Sequence, residues 1–243
     1  QGKISAALLE YESGFDGSSF EYDGKYSLKE EQQAGELSED EAKELAARVA
    51  GVEPMELKEE YSYSGTDGRR CYSAGDLIIC VSSRGLESIG QSRLVSSARL
   101  STEKARQKAE EFLSTLGLEE MALISYSDSG TIASFNFAQI QDEALRLGSG
   151  VKVSVALDDG SIYSYNGEDY SYEPAELSWD TDEETAAQQL PENVSSEGVR
   201  RVTIESEGGR ELPCYEFSCI NSEGENLKIY VDAQSGKQCR IDI

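Results

Sequence analysis

Apolar residues along this chain follow two rhythms, and the rhythms alternate in a fixed order. In LSEDEAKELAARV, Leu37 to Val49, the residues Ala42, Leu45, Ala46 and Val49 fall at i, i+3, i+4 and i+7, one stripe of a helix. Ser38 and Glu41 form an S-x-x-E capping box, Leu37 stands where a staple onto Ala42 belongs, and Gly51 marks the stop. The stretch LSTEKARQKAEEFLSTLG, Leu100 to Gly117, repeats this design: Ser101 is the cap, Leu100 the staple, and Ala105, Ala109, Phe112, Leu113 and Leu116 the stripe. A shorter version is WDTDEETAAQQLP, Trp179 to Pro191, with its start signal in Thr181-Asp182-Glu183-Glu184 and its end at Pro191.

After each helical stretch the period drops to two, the signature of strands. Four such runs follow the first helix: Leu57–Ser64, Arg69–Ser73, Leu77–Ser82 and Leu86–Gly90. Four follow the second: Met121–Ser127, Thr131–Ala138, Val151–Leu157 and Ser161–Tyr165. Four follow the third: Val199–Ser206, Leu212–Ile220, Leu227–Val231 and Lys237–Ile241. Gly and Asp gather between them, as in Gly65-Thr66-Asp67-Gly68, Asp128-Ser129-Gly130 and Glu207-Gly208-Gly209. The closing phrase LKIYVDAQSGKQCRIDI returns as VKVSVALDDGSIYSY from Val151 and, more faintly, as DLIICVSSRGLESIG from Asp76.

The expected fold is therefore α+β, with three tandem units, each one helix packed on a four-stranded antiparallel sheet. The boundaries read as 37–98, 99–172 and 173–243, with 1–36 an extended lead-in that packs on the first unit; ISAALL, Ile4 to Leu9, and FEYDGKY, Phe20 to Tyr26, lie within it. Each unit has about 60–75 residues, so its core alone would be marginal and contacts between neighbours are expected.

Charge narrows the function classes. Lys plus Arg is 22 and Asp plus Glu is 47, a formal net charge of −25 spread along the whole chain. Such a surface repels nucleic acid and anionic membrane, and no basic stripe is present to overcome that. No apolar run is long enough to cross a bilayer, and Gln1-Gly2-Lys3 leads into a polar segment without a signal-peptide pattern.

The chain has no histidine, which removes Ser-His-Asp and Cys-His arrangements. There is no glycine-rich phosphate loop, and no cofactor is implied. Carboxylate pairs suitable for glycoside hydrolysis arise by number alone, and no motif singles one out. Asp158-Asp159-Gly160 and Asp67-Gly68 read as turns, since the spaced ligands of a calcium loop are missing.

Five cysteines occur, none in a C-x-x-C pair, which argues against a zinc site. Gly75-Asp76 suits a two-residue hairpin turn, and counting outward sets Cys71 opposite Cys80. Opposed strand residues lie about 4.5–5.5 Å apart at Cα, which a disulfide can span. The other reading is that all five are small half-buried apolar residues. Cys214 and Cys219, five apart in one strand, point to opposite faces and cannot pair, so with Cys239 the odd count leaves at least one thiol free or bonded between chains. Tyr61/Tyr63, Tyr163/Tyr165 and Tyr170/Tyr172 are each separated by one serine, which puts both rings on one face of a strand. Those rings either fill the packed face or form an open platform for a partner or for sugar rings.

The segments LSEDEAKELA, VKVSVALDDGSI and KIYVDAQSGK resemble PepSY repeats, whose last hairpin carries Asp-x-x-x-Gly; Asp232 to Gly236 keeps this, while Ser82-Ser83-Arg84-Gly85 keeps only the glycine. Three copies preceded by FEYDGKYS, with Tyr22-Asp23-Gly24, are similar to the C-terminal region of the YpeB spore-germination family over roughly residues 15–243. The stretches VSVALDDGSI and CYEF, Cys214 to Phe217, add to the likeness.

The resemblance implies a non-enzymatic protein that binds, stabilises and restrains a SleB-like, peptidoglycan-degrading cortex-lytic enzyme in the dormant spore. Its place would be the outer side of the inner membrane or the cortex. The family carries an N-terminal membrane anchor and helical region, so no membrane contact is expected from this part. PepSY repeats elsewhere occur in protease propeptides and are associated with inhibition. The alternative is a cell-wall module that binds peptidoglycan through its tyrosine-lined faces. The cysteines and the strong acidity depart from the family pattern.

Overall fold

A computed structural model of the chain describes residues 37–62, 68–170, 174–206 and 210–243. The fold is mixed α+β and dominated by sheet. Helix α1 (Glu39–Ala50) leads into β1 (Lys58–Ser62), β2 (Arg70–Ala74), β3 (Leu77–Ser82) and β4 (Gly85–Gln91). Helix α2 (Thr102–Thr115) leads into β5 (Met121–Asp128), β6 (Ile132–Gln141), β7 (Ala144–Ala156) and β8 (Ile162–Asn166). Helix α3 (Glu183–Ala187) leads into β9 (Val194–Glu205), β10 (Glu211–Asn221), β11 (Asn226–Asp232) and β12 (Gln238–Asp242).

The helix ends follow from their caps. Ser38 accepts from the backbone N–H of Glu41, whose carboxylate accepts from the Ser38 N–H at 2.8 Å, and Gly51 closes α1 at φ +70°. Ser101 caps α2 in the same position and Asp182 caps α3, accepting from the Thr185 N–H at 2.7 Å. Helix α3 stops after five residues, well short of Pro191. One buried alanine, Ala186, cannot cover a sheet face alone; Trp179 and Leu190 from the flanking chain complete the layer.

The chain divides into two compact units. One holds α1, α2, β1 to β5, β8, nearly all of β6 and β7 from Ser149 onward. The other holds α3, β9 to β12 and the tip of the β6–β7 hairpin, residues 140–148.

In the two-helix unit the strand order is β1-β2-β3-β4-β8-β7-β6-β5. Its centre is the antiparallel pairing of β4 with β8, Ser88 to Asn166, Ile89 to Tyr165 and Gly90 to Ser164. The last strand after α1 is thus bonded to the last strand after α2. Both helices lie on one apolar cluster, with Leu45 and Ala46 of α1 and Ala109 and Leu113 of α2 buried in it beside Ile79, Ile89, Val153 and Tyr165. Two helix-plus-sheet segments therefore share one core. Burying both stripes on a joint sheet solves the shortage of apolar area that each would face alone. At Gly150 on β7 an added methyl would collide with the Phe137 carbonyl on β6, so these strands meet where a side chain has no room.

In the one-helix unit the hairpin tip of β7 pairs with β9 in parallel, Leu145 to Val202 and Arg146 to Thr203, and the order continues β9-β10-β11-β12. Tyr215, Phe217 and Cys219 of β10, with Ile229 and Val231 of β11, form the core under α3. Trp179 stacks edge-on against Tyr215, centroids 5.4 Å apart, and the Tyr215 hydroxyl donates to the Thr181 carbonyl at 3.0 Å.

One backbone hydrogen bond occurs in equivalent form three times. The residue before each helix cap donates to a carbonyl in the last hairpin turn of its own segment: Leu37 to Ser83 at 2.9 Å, Leu100 to Leu157 at 2.9 Å, and Thr181 to Ala233 at 2.8 Å. Each bond ties the entry of a helix to the turn that closes its four strands. In the third segment Asp232 shapes that turn by accepting from the Gln234 N–H at 2.8 Å, and Gly236 takes φ +67°.

Candidate functional site

Of the six tyrosines singled out in the sequence, Tyr163, Tyr165 and Tyr170 can be placed. Tyr63 and Tyr172 lie outside the described residues, as does the side chain of Tyr61. Tyr165 is 2 % exposed and stacks edge-on against Phe112 of α2 at 5.5 Å between centroids. Tyr170 packs against the same core, and its hydroxyl accepts from the Gln139 amide at 3.3 Å. Tyr163 is half-buried, with its hydroxyl donating to the Arg93 carbonyl at 3.4 Å. Tyr165 is thus a core residue, and no open ring pair forms on β8.

Cys71 and Cys80 stand opposite one another on β2 and β3 and are joined by a disulfide, with Cα atoms 4.1 Å apart. The turn between these strands is Gly75-Asp76, with Gly75 at φ +60°. Cys219 lies in the core under α3, and Cys214 faces the other side of β10.

The Asp158-Asp159-Gly160 turn is organised by a cation from the same chain. Arg93 donates to both Asp158 oxygens at 2.7 and 3.0 Å and to Asp159 at 2.8 Å. Its guanidinium holds the Asp158 carboxyl below the usual carboxylate range. Asp67 is outside the described residues. Among the described residues, no group of three or more metal-type side chains comes together.

The buried charges of the one-helix unit had little signal in the sequence. Arg146, 2 % exposed, sits on the hairpin tip and forms a salt bridge with Glu211 of β10, which also accepts from Thr203 at 2.8 Å. The Arg146 guanidinium beside it lowers the Glu211 carboxyl from its ordinary value. The tip is further held by Gln141, whose amide donates to the Ala175 carbonyl at 2.8 Å and accepts from the Ala175 N–H at 2.9 Å. On the face of β10 away from α3, Glu216 is 1 % exposed and receives two bonds from Arg200, each 3.0 Å, with Lys228 3.2 Å away. Burial raises the neighbouring Tyr230 phenol, and the Glu216 charge adds to the rise. These groups are satisfied by one another, which makes them fasteners of the sheet. The available hint was polar residues at single positions of otherwise apolar strands, Arg146 in ALRLG and Glu216 in CYEF.

Among the described strands, β5 presents exposed apolar side chains beside a backbone edge with no partner strand. Among the described strands β5 pairs only with β6. Ile124 and Tyr126 are exposed on it at 40 % and 55 %. The Tyr126 ring stacks on Phe135 of β6 at 6.3 Å, which holds it in place on the surface. Such an edge can accept an extended segment from another protein.

Comparison with known proteins places this architecture. The family model described as "YpeB sporulation, PepSY1 and PepSY2 domains" matches residues 86–176, and the model described as "Peptidase propeptide and YPEB domain" matches residues 185–241. A capped helix on an antiparallel meander, matched by these two models, defines a PepSY-domain protein, a propeptide-type module rather than a catalytic one. The protein called "Sporulation protein YpeB" of Halalkalibacterium halodurans is 27 % identical over 238 residues, covering 90 % of this chain and 52 % of that protein. Its counterpart in Bacillus subtilis is 24 % identical over 222 residues, covering 85 % and 49 %. The solved Bacillus megaterium YpeB C-terminal domain superposes with a TM-score of 0.68 at 18 % identity, covering 86 % of this chain and 98 % of that one, which establishes a shared fold. The chain belongs to the YpeB family and corresponds to its C-terminal region. It spans about half the length of these two curated relatives. These relatives are named as sporulation proteins, which supports a sporulation-related role. Among the described residues, no helix is long and apolar enough to cross a membrane.

Proposed function

We propose that this chain is a non-enzymatic binding module of the spore that holds and restrains a cortex-lytic, peptidoglycan-degrading enzyme until germination. The observation that carries the reading is the match to a propeptide-type repeat in a family of sporulation proteins. Propeptide-type modules act by occupying a partner's surface, and β5 with Ile124 and Tyr126 supplies an edge suited to that. The partner is a SleB-like hydrolase on the outer side of the inner membrane or in the cortex. The architecture behind it is one ancestral unit in three tandem copies, a reading supported by the threefold helix-to-turn bond and by the thrice-repeated order of one helix and four strands.

The test is retention of the purified cortex-lytic enzyme of the same organism on immobilised protein, at low and moderate salt, using both this chain and the longer protein. Retention that is lost on Ile124→Lys with Tyr126→Lys supports the reading. Failure of both forms to retain the enzyme refutes it. Retention by the longer form alone moves the contact outside this region.

A further inference from the structure

Two of the three cysteines outside the disulfide are brought together by the fold, although 25 residues separate them. Cys214 is buried on β10 and Cys239 is exposed on β12, with their sulfurs 3.7 Å apart. Strand β11 runs between these two strands, so alternation alone does not make them meet. Cross-strand register puts Cys214 with Asp232 and Glu216 with Tyr230 on the face away from α3, and Tyr230 pairs with Arg240 on that same face. In an unbroken strand Cys239, next to Arg240, would point to the other face. The β11–β12 ladder instead carries an irregularity here: Tyr230 pairs with Arg240 but Val231 with Gln238, which leaves Cys239 as the extra residue. A bulge of this kind re-aims a side chain, and here it turns Cys239 toward Cys214.

We propose that Cys214 and Cys239 are an oxidisable thiol pair, a second disulfide site that takes a low-molecular-weight disulfide as its oxidant and fastens β12 to β10. The exposed Cys239 is the point of entry and the buried Cys214 is the resolving group. The two sulfurs lie within hydrogen-bonding distance, Cys239 also reaches the Tyr230 carbonyl at 3.4 Å, and its exposure makes Cys239 the first of the pair to meet an oxidant. In the first step the Cys239 thiolate attacks a disulfide RSSR, its S–S bond breaks, a Cys239–SR bond forms and RS⁻ leaves. In the second, Cys214 gives its proton to solvent and attacks the Cys239 sulfur, forming the Cys214–Cys239 bond and expelling the second RS⁻. Two protein thiols lose two electrons and two protons; RSSR gains them and becomes two RSH. The sulfurs must close to about 2.05 Å. Among the described strands β12 has a neighbour on one side only, which leaves it the freedom to shift. Cys219 has no part in this, since it is in the core under α3.

The test is incubation of the purified chain with oxidised glutathione at mildly alkaline pH, quenching with an alkylating reagent, and peptide mass mapping without reductant. The alkylated thiols should fall from three to one, Cys219 alone, with a Cys214–Cys239 cross-link inside one molecule. In Cys214→Ser the reaction should stop at a glutathione adduct on Cys239; in Cys239→Ser, Cys214 should remain alkylatable in full. Wild-type protein that stops at the Cys239 adduct, takes up no glutathione, or links Cys239 between two molecules overturns the proposal. The wild-type arm decides alone if either variant fails to fold.

Discussion

Replacing Tyr165 by alanine separates a core tyrosine from a surface one. The side chain is 2 % exposed, rests edge-on against Phe112, and lies on β8 opposite Ile89, where the strands following α1 and α2 are bonded together. Truncating a fully buried aromatic costs about 3–5 kcal/mol. The ring pair accounts for about 0.5–1.5 kcal/mol beyond its area. Against a total stability of about 5–15 kcal/mol this is a large share. At about 3–5 °C per kcal/mol for a unit of this size, Tm should drop by about 9–25 °C.

Tyr165→Phe keeps the ring and should cost no more than about 1.5 kcal/mol. Gly167 provides an internal check. A methyl there would fall on the Tyr165 hydroxyl and ring, so Gly167→Ala should cost about 1–3 kcal/mol, and part of that should disappear in the Tyr165→Phe background. Thermal melts followed by circular dichroism, with peptidoglycan sedimentation of the same samples, read both effects. A Tyr165→Ala protein whose Tm stays within about 2 °C of wild type while glycan pelleting is lost would refute the core assignment and favour a sugar-stacking ring.

Glu143 holds φ +64° in the tight turn between β6 and β7, a conformation that costs a non-glycine residue about 1–2 kcal/mol, so Glu143→Gly should raise the unfolding free energy from urea titration by about 0.5–1 kcal/mol; a drop would show that the Glu143 side chain contributes more than the turn strain costs. Glu216→Ala should destabilise by about 3 kcal/mol, the low end for breaking a buried ion pair, because Arg200 and Lys228 are partly exposed and can rehydrate once freed. Asp158, Asp182 and Glu211 all have folded-state values below their ordinary ones, so the stability they contribute is present at neutral pH and is lost as pH falls through those depressed values, below about pH 4. Melting temperature measured against pH should bend downward there, and Arg93→Ala should remove the Asp158 share of that bend.

Most of the elements could be read from the sequence because local chemistry and long-range packing agree in them. The S-x-x-E box at Ser38, the Gly75-Asp76 turn and the alternation in LKIYVD each specify their conformation without help from the rest of the chain. The exceptions have a common physical cause. Strand β7 begins at Ala144, seven residues before the apolar alternation that marks it, and its turn is Asp142-Glu143, with positive φ at both and no glycine to announce it. What holds that turn is distant: Arg146 with Glu211, Gln141 with Ala175, and β9 alongside. Helix α3 is shorter than its sequence suggests for the converse reason: good helix formers continue past Ala187, but Leu190 reaches the core from a turn and not from a helical stripe. The tyrosine spacing presumes an unbroken strand, whereas Tyr163 sits at a break in the β7–β8 register and Tyr170 lies beyond the end of β8, and spacing does not decide which face is wet. That depended on a neighbouring helix, through Phe112, and on a strand from the preceding segment, through Ile89.

The bonding of β4 to β8 has an implication for how this protein can be divided. Severing the chain in the connection near Ser96 would leave two fragments, each with a raw hydrogen-bonding border and half of a shared interior. Neither half of the two-helix unit should persist by itself, yet mixing the pieces should regenerate it, as in a split reporter whose halves find each other.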